Sequence, residues 1–302
     1  MTTLIIQKPQ MEKLEKISLI KNDILAKIML KVSSFPSMPK AALKLMDLVN
    51  KEDVPVDEIE RIMRNDPGLT VNVLKLANSA YFGIPAKVGS LKQAVLLLGL
   101  KRFAQIVVAS CTSNTLDKHV EGYDIPSGEL WRHSIAVSKT AEALAKFTKL
   151  TDSIDFFTPA LLHDMGKLVL GIFVKNEIQT IEAVVAKGVP LEVAEHMVLG
   201  TDHAEIGSHI LANWSFPSDI VNAVRWHHNP ERLKNSNMQP EIVYLSNLLC
   251  QVSESNSSDD RPFTMPSSVV LQRLNINKDQ YRSIFEKTTI WLNQLSDRLA
   301  FA

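Results

Sequence analysis

The chain has 302 residues, of which 45% are hydrophobic and 22% charged, and Lys+Arg and Asp+Glu both number 33. This is an ordinary globular composition with room for one large or two modest domains. The balanced charge argues against a strongly basic nucleic-acid-binding domain, whose affinity comes from neutralising phosphates.

Cys111 and Cys250 are the only cysteines, and neither lies in a CxxC pair. No disulfide framework is expected, and a reducing compartment fits. Near the start, Leu4, Ile5 and Ile6 form a short apolar stretch without a basic flank, which does not read as a signal peptide. The apolar runs at 94–98 and 106–109 are far shorter than a membrane span. The expectation is a soluble cytoplasmic protein with no membrane contact.

Along the chain, apolar residues recur at three and four, while alternating strand patterns are scarce. The expected fold is all-α, with two packed helical bundles. Residues 1–120 form the first. Within it, Asp66-Pro67 places a capping residue before a proline at the first helical position. Ser90-Leu91-Lys92-Gln93 reads as a capping box ahead of Ala94, Val95, Leu97 and Leu98.

Residues 121–254 form the second bundle. A helix near 128–147 places Leu130, His133, Val137, Ala141 and Leu144 on one face, so His133 points inward. Thr158-Pro159 is expected to open a further helix that carries His163, Asp164 and Lys167 toward one site. Lys187-Gly188 reads as a helix end and Pro190 as the next start. Asp202 and Glu205 resemble a capping box, which sets His203 at a helix N-terminus. Ile220, Val221 and Val224 lead into His227 and His228 before Asn229-Pro230 stops the helix. Residues 255–302 hold a polar linker and a final helix from about 277 to 299.

Taken singly, each histidine is more often a hydrogen-bonded core or surface residue than a ligand. His119, His196 and His209 read as solvent-facing or packing residues. His133, His163, His203, His227 and His228 gain weight as a set, because buried imidazoles need partners. With Asp164 they are natural ligands for one or two divalent ions such as iron, manganese or zinc. Asp164 could bridge two ions, and Lys167 could hold a phosphate or stabilise Asp164. A metal here could activate a bound water.

Leu161-Leu162-His163-Asp164-Met165-Gly166-Lys167 resembles the core motif of HD-domain phosphohydrolases. His133 in Trp131-Arg132-His133-Ser134 matches the histidine before that motif. His203 and the pair His227-His228 resemble the later histidines of the HD-GYP branch. In the first half, Phe35-Pro36-Ser37-Met38-Pro39, Asn65-Asp66-Pro67-Gly68-Leu69, Leu76-Ala77-Asn78-Ser79-Ala80-Tyr81-Phe82 and Ser90 to Val95 followed by Leu98-Gly99-Leu100 resemble an HDOD domain. The resemblance covers about residues 30–250. It implies an all-helical fold with an HD-like second bundle and a regulatory output role through a signalling protein partner. It also implies that most members lack catalysis, having lost metal ligands.

Two departures refine this. The final metal-binding aspartate of HD enzymes has its counterpart in Asn247, in line with Val243 and Cys250. The glutamate and the Gly-Tyr-Pro segment of HD-GYP proteins are absent after His227-His228, which argues against cyclic di-guanylate hydrolysis. The expectation is a regulatory protein with a vestigial or structural metal site. The alternative is a metal-dependent phosphohydrolase acting on a nucleotide or cyclic dinucleotide, with Asp164 and Lys167 catalytic. A third reading is a metal-free helical scaffold in which the histidines are packed.

Overall fold

The computed structural model describes residues 8–300 apart from 50, 52, 65, 80, 85, 151–152, 234–236 and 255–264. The expected linker over 255–264 and the apolar stretch at Leu4–Ile6 lie outside the described residues. Among the described residues the chain is helical, with no strand and one isolated bridge between Val120 and Ile125. The first half holds α1 (Lys8–Ser33), α2 (Lys40–Leu48), α3 (Val56–Met63), α4 (Pro67–Ala77) and α5 (Leu91–Leu116). The second holds α6 (Glu129–Phe147), α7 (Phe157–Leu162), α8 (Lys167–Val185), α9 (Leu191–Leu199), α10 (His203–Asn213), α11 (Ser218–Arg225) and α12 (Gln239–Glu254). Short α13 (Ser268–Arg273) and long α14 (Lys278–Ala300) follow.

Local chemistry sets several of these boundaries. Asp66 Oδ1 accepts the Leu69 N–H at 2.9 Å, and Pro67 fills the first helical position. Ser90 Oγ accepts the Gln93 N–H at 3.2 Å, while Gln93 reaches back to the N–H of Gly89 instead of Ser90. Asp202 Oδ1 accepts the Glu205 N–H at 2.7 Å. Thr158 does not cap its helix. The 3-10 turn Ser153–Phe156 runs straight into α7, which starts at Phe157. The buried Phe156 and Phe157 extend the helical segment upstream, and Pro159 sits in the first turn, where its missing N–H is tolerated.

The second half of α5 is buried almost all round from Phe103 to Ser110, as expected of a central core helix. Gly99 interrupts α5 with φ 75° and ψ 161°, so the helix is kinked there. One buried apolar cluster extends from Ile28 in α1 to Val224 in α11 and so crosses from the first bundle to the second. Another joins Val137 and Ala141 of α6 and Leu245 and Leu249 of α12 to Tyr281 and Ile284 of α14. The stretches Leu91–Leu116 and Phe157–Val185 are long and apolar enough to cross a membrane, but most of each apolar window is buried within the protein.

At the seam between the bundles, Arg102 of α5 and Lys139 of α6 lie over the rings of Phe82 and Phe157 at 4.9–5.6 Å. Glu142 pairs with both cations. Burial pushes the Lys139 ammonium down to about 8, even with that carboxylate beside it.

Candidate metal centre

The centre is built around a turn. Residues 163–166 separate α7 from α8, so His163, Asp164 and Lys167 do not share one helix as the sequence suggested. The N–H of Met165 bonds the Leu162 carbonyl at 3.1 Å and that of Lys167 bonds the Asp164 carbonyl at 3.0 Å, a tight i to i+3 pattern. The reason lies at Gly166. A Cβ there would meet the His203 carbonyl oxygen at 1.8 Å and the Gly207 nitrogen at 2.6 Å. The backbone of α10 rests directly on this glycine, and that close approach brings His203 beside Asp164.

All six residues singled out as metal ligands converge. His163, Asp164, His203 and His227 are buried, while His133 and His228 keep side-chain exposures of 12% and 20%. Asp164 Oδ2 lies 3.4 Å from His163 Nε2 and 3.8 Å from His133 Nε2. Asp164 Oδ1 lies 3.4 Å from His203 Nε2 and 3.9 Å from His227 Nε2. Lys167 Nζ bonds Asp164 Oδ2 at 2.7 Å and sits over the Tyr123 ring.

Backbone carbonyls assign the protons. His163 Nδ1 meets the Ala160 carbonyl and His227 Nδ1 meets the Val224 carbonyl, each at 2.7 Å. A carbonyl only accepts, so each Nδ1 carries a hydrogen and each Nε2 offers a lone pair. Both Nε2 atoms and Asp164 Oδ1 are buried without a hydrogen-bond partner. Leaving such groups unsatisfied costs about 1–3 kcal/mol each. Two atoms bound roughly 2.1 Å from one ion stand about 3–3.4 Å apart. The observed separations come close to that, so a divalent ion fits the donor set.

Two supporting residues escaped the sequence analysis. Glu195 of α9 is fully buried, and its Oε2 accepts from His203 Nδ1 at 2.7 Å and from the His203 N–H at 2.9 Å. Tyr123 donates its hydroxyl to Glu195 Oε1 at 2.6 Å. Such a carboxylate behind an imidazole fixes its tautomer and raises its basicity as a ligand. The available signal was positional: Glu195 lies four residues from both Leu191 and Leu199, on the inward side of α9. At the opposite end, Asn247 is buried and its Oδ1 stands 3.1 Å from His133 Nε2.

Burial opposes ionisation of Asp164, but His163 and the Lys167 ammonium outweigh it and hold the carboxyl well below its usual range. Burial also opposes protonation of His203, yet Glu195 prevails and raises its pKa. His163, His227 and His228 are pushed down, first by burial. A further group, His196, Asp202 and Glu205, lies nearby. Arg225 serves both of its carboxylates, at 3.5 and 3.4 Å, and so supplies the positive charge there. His119, His196 and His209 are exposed.

The model of the HDOD domain family matches residues 35–230. The chain belongs to the HDOD family. Its fold resembles that of a Shewanella amazonensis protein described as a candidate phosphohydrolase, with 28% identity, a TM-score of 0.66 and coverage of 86% of this chain and 92% of the other. An HDOD domain protein of unknown function from Geobacter sulfurreducens shares the fold at 19% identity and a TM-score of 0.64, over 91% and 96% of the two chains. An uncharacterized protein of Treponema pallidum (strain Nichols) is 26% identical over 210 residues, which are 68% of this HDOD chain and 40% of the relative. The chain therefore spans about two fifths of that curated relative's length.

Proposed function

We propose that this HDOD protein is a regulatory module whose second bundle is organised around a bound divalent ion, and that it acts by presenting a surface to a signalling protein. The observation that carries the metal is the convergence of buried, unpartnered His163 Nε2, His227 Nε2 and Asp164 Oδ1. The observation that favours regulation over turnover is Asn247, a neutral amide on His133 where HD enzymes carry a carboxylate. Val71 of α4 and Leu96 and Leu97 of α5 are exposed apolar residues on the first bundle and suit a protein partner. The thiols of Cys111 and Cys250 fit a cytoplasmic setting.

A second reading, a metal-dependent phosphohydrolase acting on a nucleotide or cyclic dinucleotide, is favoured by Lys167 and by the Shewanella amazonensis relative. Asp164, His203, His227 and His228 would hold the ion, with His133 and His163 beside them. A bound iron, manganese or zinc ion supplies Lewis acidity and lowers the pKa of water. Asp164 would hold its charge at neutral pH through Lys167, and Lys167 would swing to an anionic phosphate oxygen.

Metal-replete protein assayed against phosphomonoesters, phosphodiesters and cyclic dinucleotides separates the two. The regulatory reading predicts turnover no greater than that of Asp164→Ala. Turnover that is lost in that variant would establish the phosphohydrolase.

A further inference from the structure

We propose that the ion sits on the Asp164 Oδ1 side, held by His203, His227 and His228, and that the His133–Asn247 side holds none. The proposal rests on the metal reading above and goes beyond it by assigning one seat and one stoichiometry.

Six ligand-type residues would permit two ions bridged by Asp164, and the donor atoms do fall into two groups. His203, His227 and His228 form one, and His133, His163 and Asp164 form the other. The groups differ in what stands behind them. His203 Nδ1 is tied to the buried Glu195, which Tyr123 anchors in turn, so the His203 lone pair is directed from Nε2. His203 Nε2 and His228 Nε2 face each other at 2.8 Å. Two imidazole nitrogens at that distance need a proton or a cation to share. His227 adds a buried Nε2 without a partner, and Asp164 adds Oδ1, also without one. Glu192 lies 3.9 Å from His228 Nδ1 and adds a second carboxylate to this side.

The other side is arranged against a dication. Its carboxylate oxygen, Asp164 Oδ2, is already neutralised by Lys167 at 2.7 Å. An ion seated there would lie next to that ammonium. His133 Nε2 is engaged by the Asn247 carbonyl oxygen, a contact in which the imidazole nitrogen donates and so lacks a lone pair to offer. Asn247 brings no charge. Glu195 and Glu192 stand behind one seat, whereas Lys167 and the neutral Asn247 stand behind the other, where His163 Nε2 is left to offer a lone pair. Coulomb interactions in a site of low dielectric make that difference decisive.

The test is metal binding by purified full-length protein, read by elemental mass spectrometry, by competition with a chromogenic chelator for zinc, and by the visible absorption of a cobalt(II)-substituted sample. The wild type is expected to hold close to one equivalent. His228→Ala and Glu195→Gln are expected to weaken zinc binding about 10–100-fold and to shift the cobalt bands. His133→Ala and Asn247→Ala are expected to leave stoichiometry, affinity and bands within about threefold of the wild type. Circular dichroism on each metal-free variant checks folding, and the conservative Tyr123→Phe gives a smaller loss in the same direction. Two equivalents in the wild type, or loss of the ion in His133→Ala with retention in His228→Ala, would overturn the assignment. Absence of any ion from the wild type would instead remove the metal reading on which it rests.

Discussion

The seam between the bundles and the centre in the second bundle both bury charge, and they treat it in opposite ways. At the seam, Arg102 and Lys139 share Glu142 and stack on Phe82 and Phe157. The cations there are matched within the chain. At the centre, two imidazole nitrogens and a carboxylate oxygen are buried with nothing to bond. The first arrangement is self-sufficient and serves cohesion. The second is incomplete without a guest, and this incompleteness points to function. Substitutions should therefore divide: seam variants change stability and spare ion binding, and centre variants do the reverse.

The largest contrast is expected at Asp164. An ion present at about 1,000 times its dissociation constant stabilises the wild type by about 4 kcal/mol. Asp164→Ala should abolish that gain, so its melting temperature becomes indifferent to added zinc or to a chelator. A metal-dependent rise preserved in the variant would break the comparison on the side of the centre. At the seam, Phe157→Ala removes a fully buried ring from beneath two cations and should cost about 3–5 kcal/mol. Denaturant melts would measure this, and the folded variant should still bind zinc with the wild-type affinity. Glu142→Gln leaves Arg102 and Lys139 without their carboxylate and should cost about 1–3 kcal/mol, again with ion binding intact.

The smallest effect concerns the protonation of the centre's histidines. In metal-free protein, burial holds His163, His227 and His228 below the ordinary histidine range. The unfolded chain then takes up protons near pH 6.5 that the folded chain refuses, so stability falls as pH falls. His203, raised by Glu195, acts in the opposite sense. Thermal melts of chelated protein should drop by several degrees between pH of about 7.5 and about 5.5. A flat profile would mean that these histidines take up protons in the folded state as readily as in the unfolded chain.

Much of this was legible in the residues themselves. The caps at Asp66, Ser90 and Asp202 depend on one side chain and an N–H three residues ahead, and the sequence states both. The inward faces of His133 and Asn247 followed from helical periodicity, since each lies in register with buried apolar neighbours. What stayed hidden depends on contacts between distant segments. The break at 163–166 contains one weak helix former, Gly166, and its meaning comes from α10 lying against it. Glu195 reads as an ordinary charged helix residue until Tyr123 and His203, 72 and 8 residues away, close around it. Thr158-Pro159 satisfied the capping pattern, yet the burial of Phe156 and Phe157 moved the helix start upstream.

The most direct test of the central claim is the metal content of untagged, full-length protein purified without chelators, measured by elemental mass spectrometry beside Asp164→Ala. The account predicts close to one equivalent of iron, manganese or zinc in the wild type and background in the variant. Background levels in both, after expression in metal-supplemented medium, would contradict it and leave the buried histidines as packing residues.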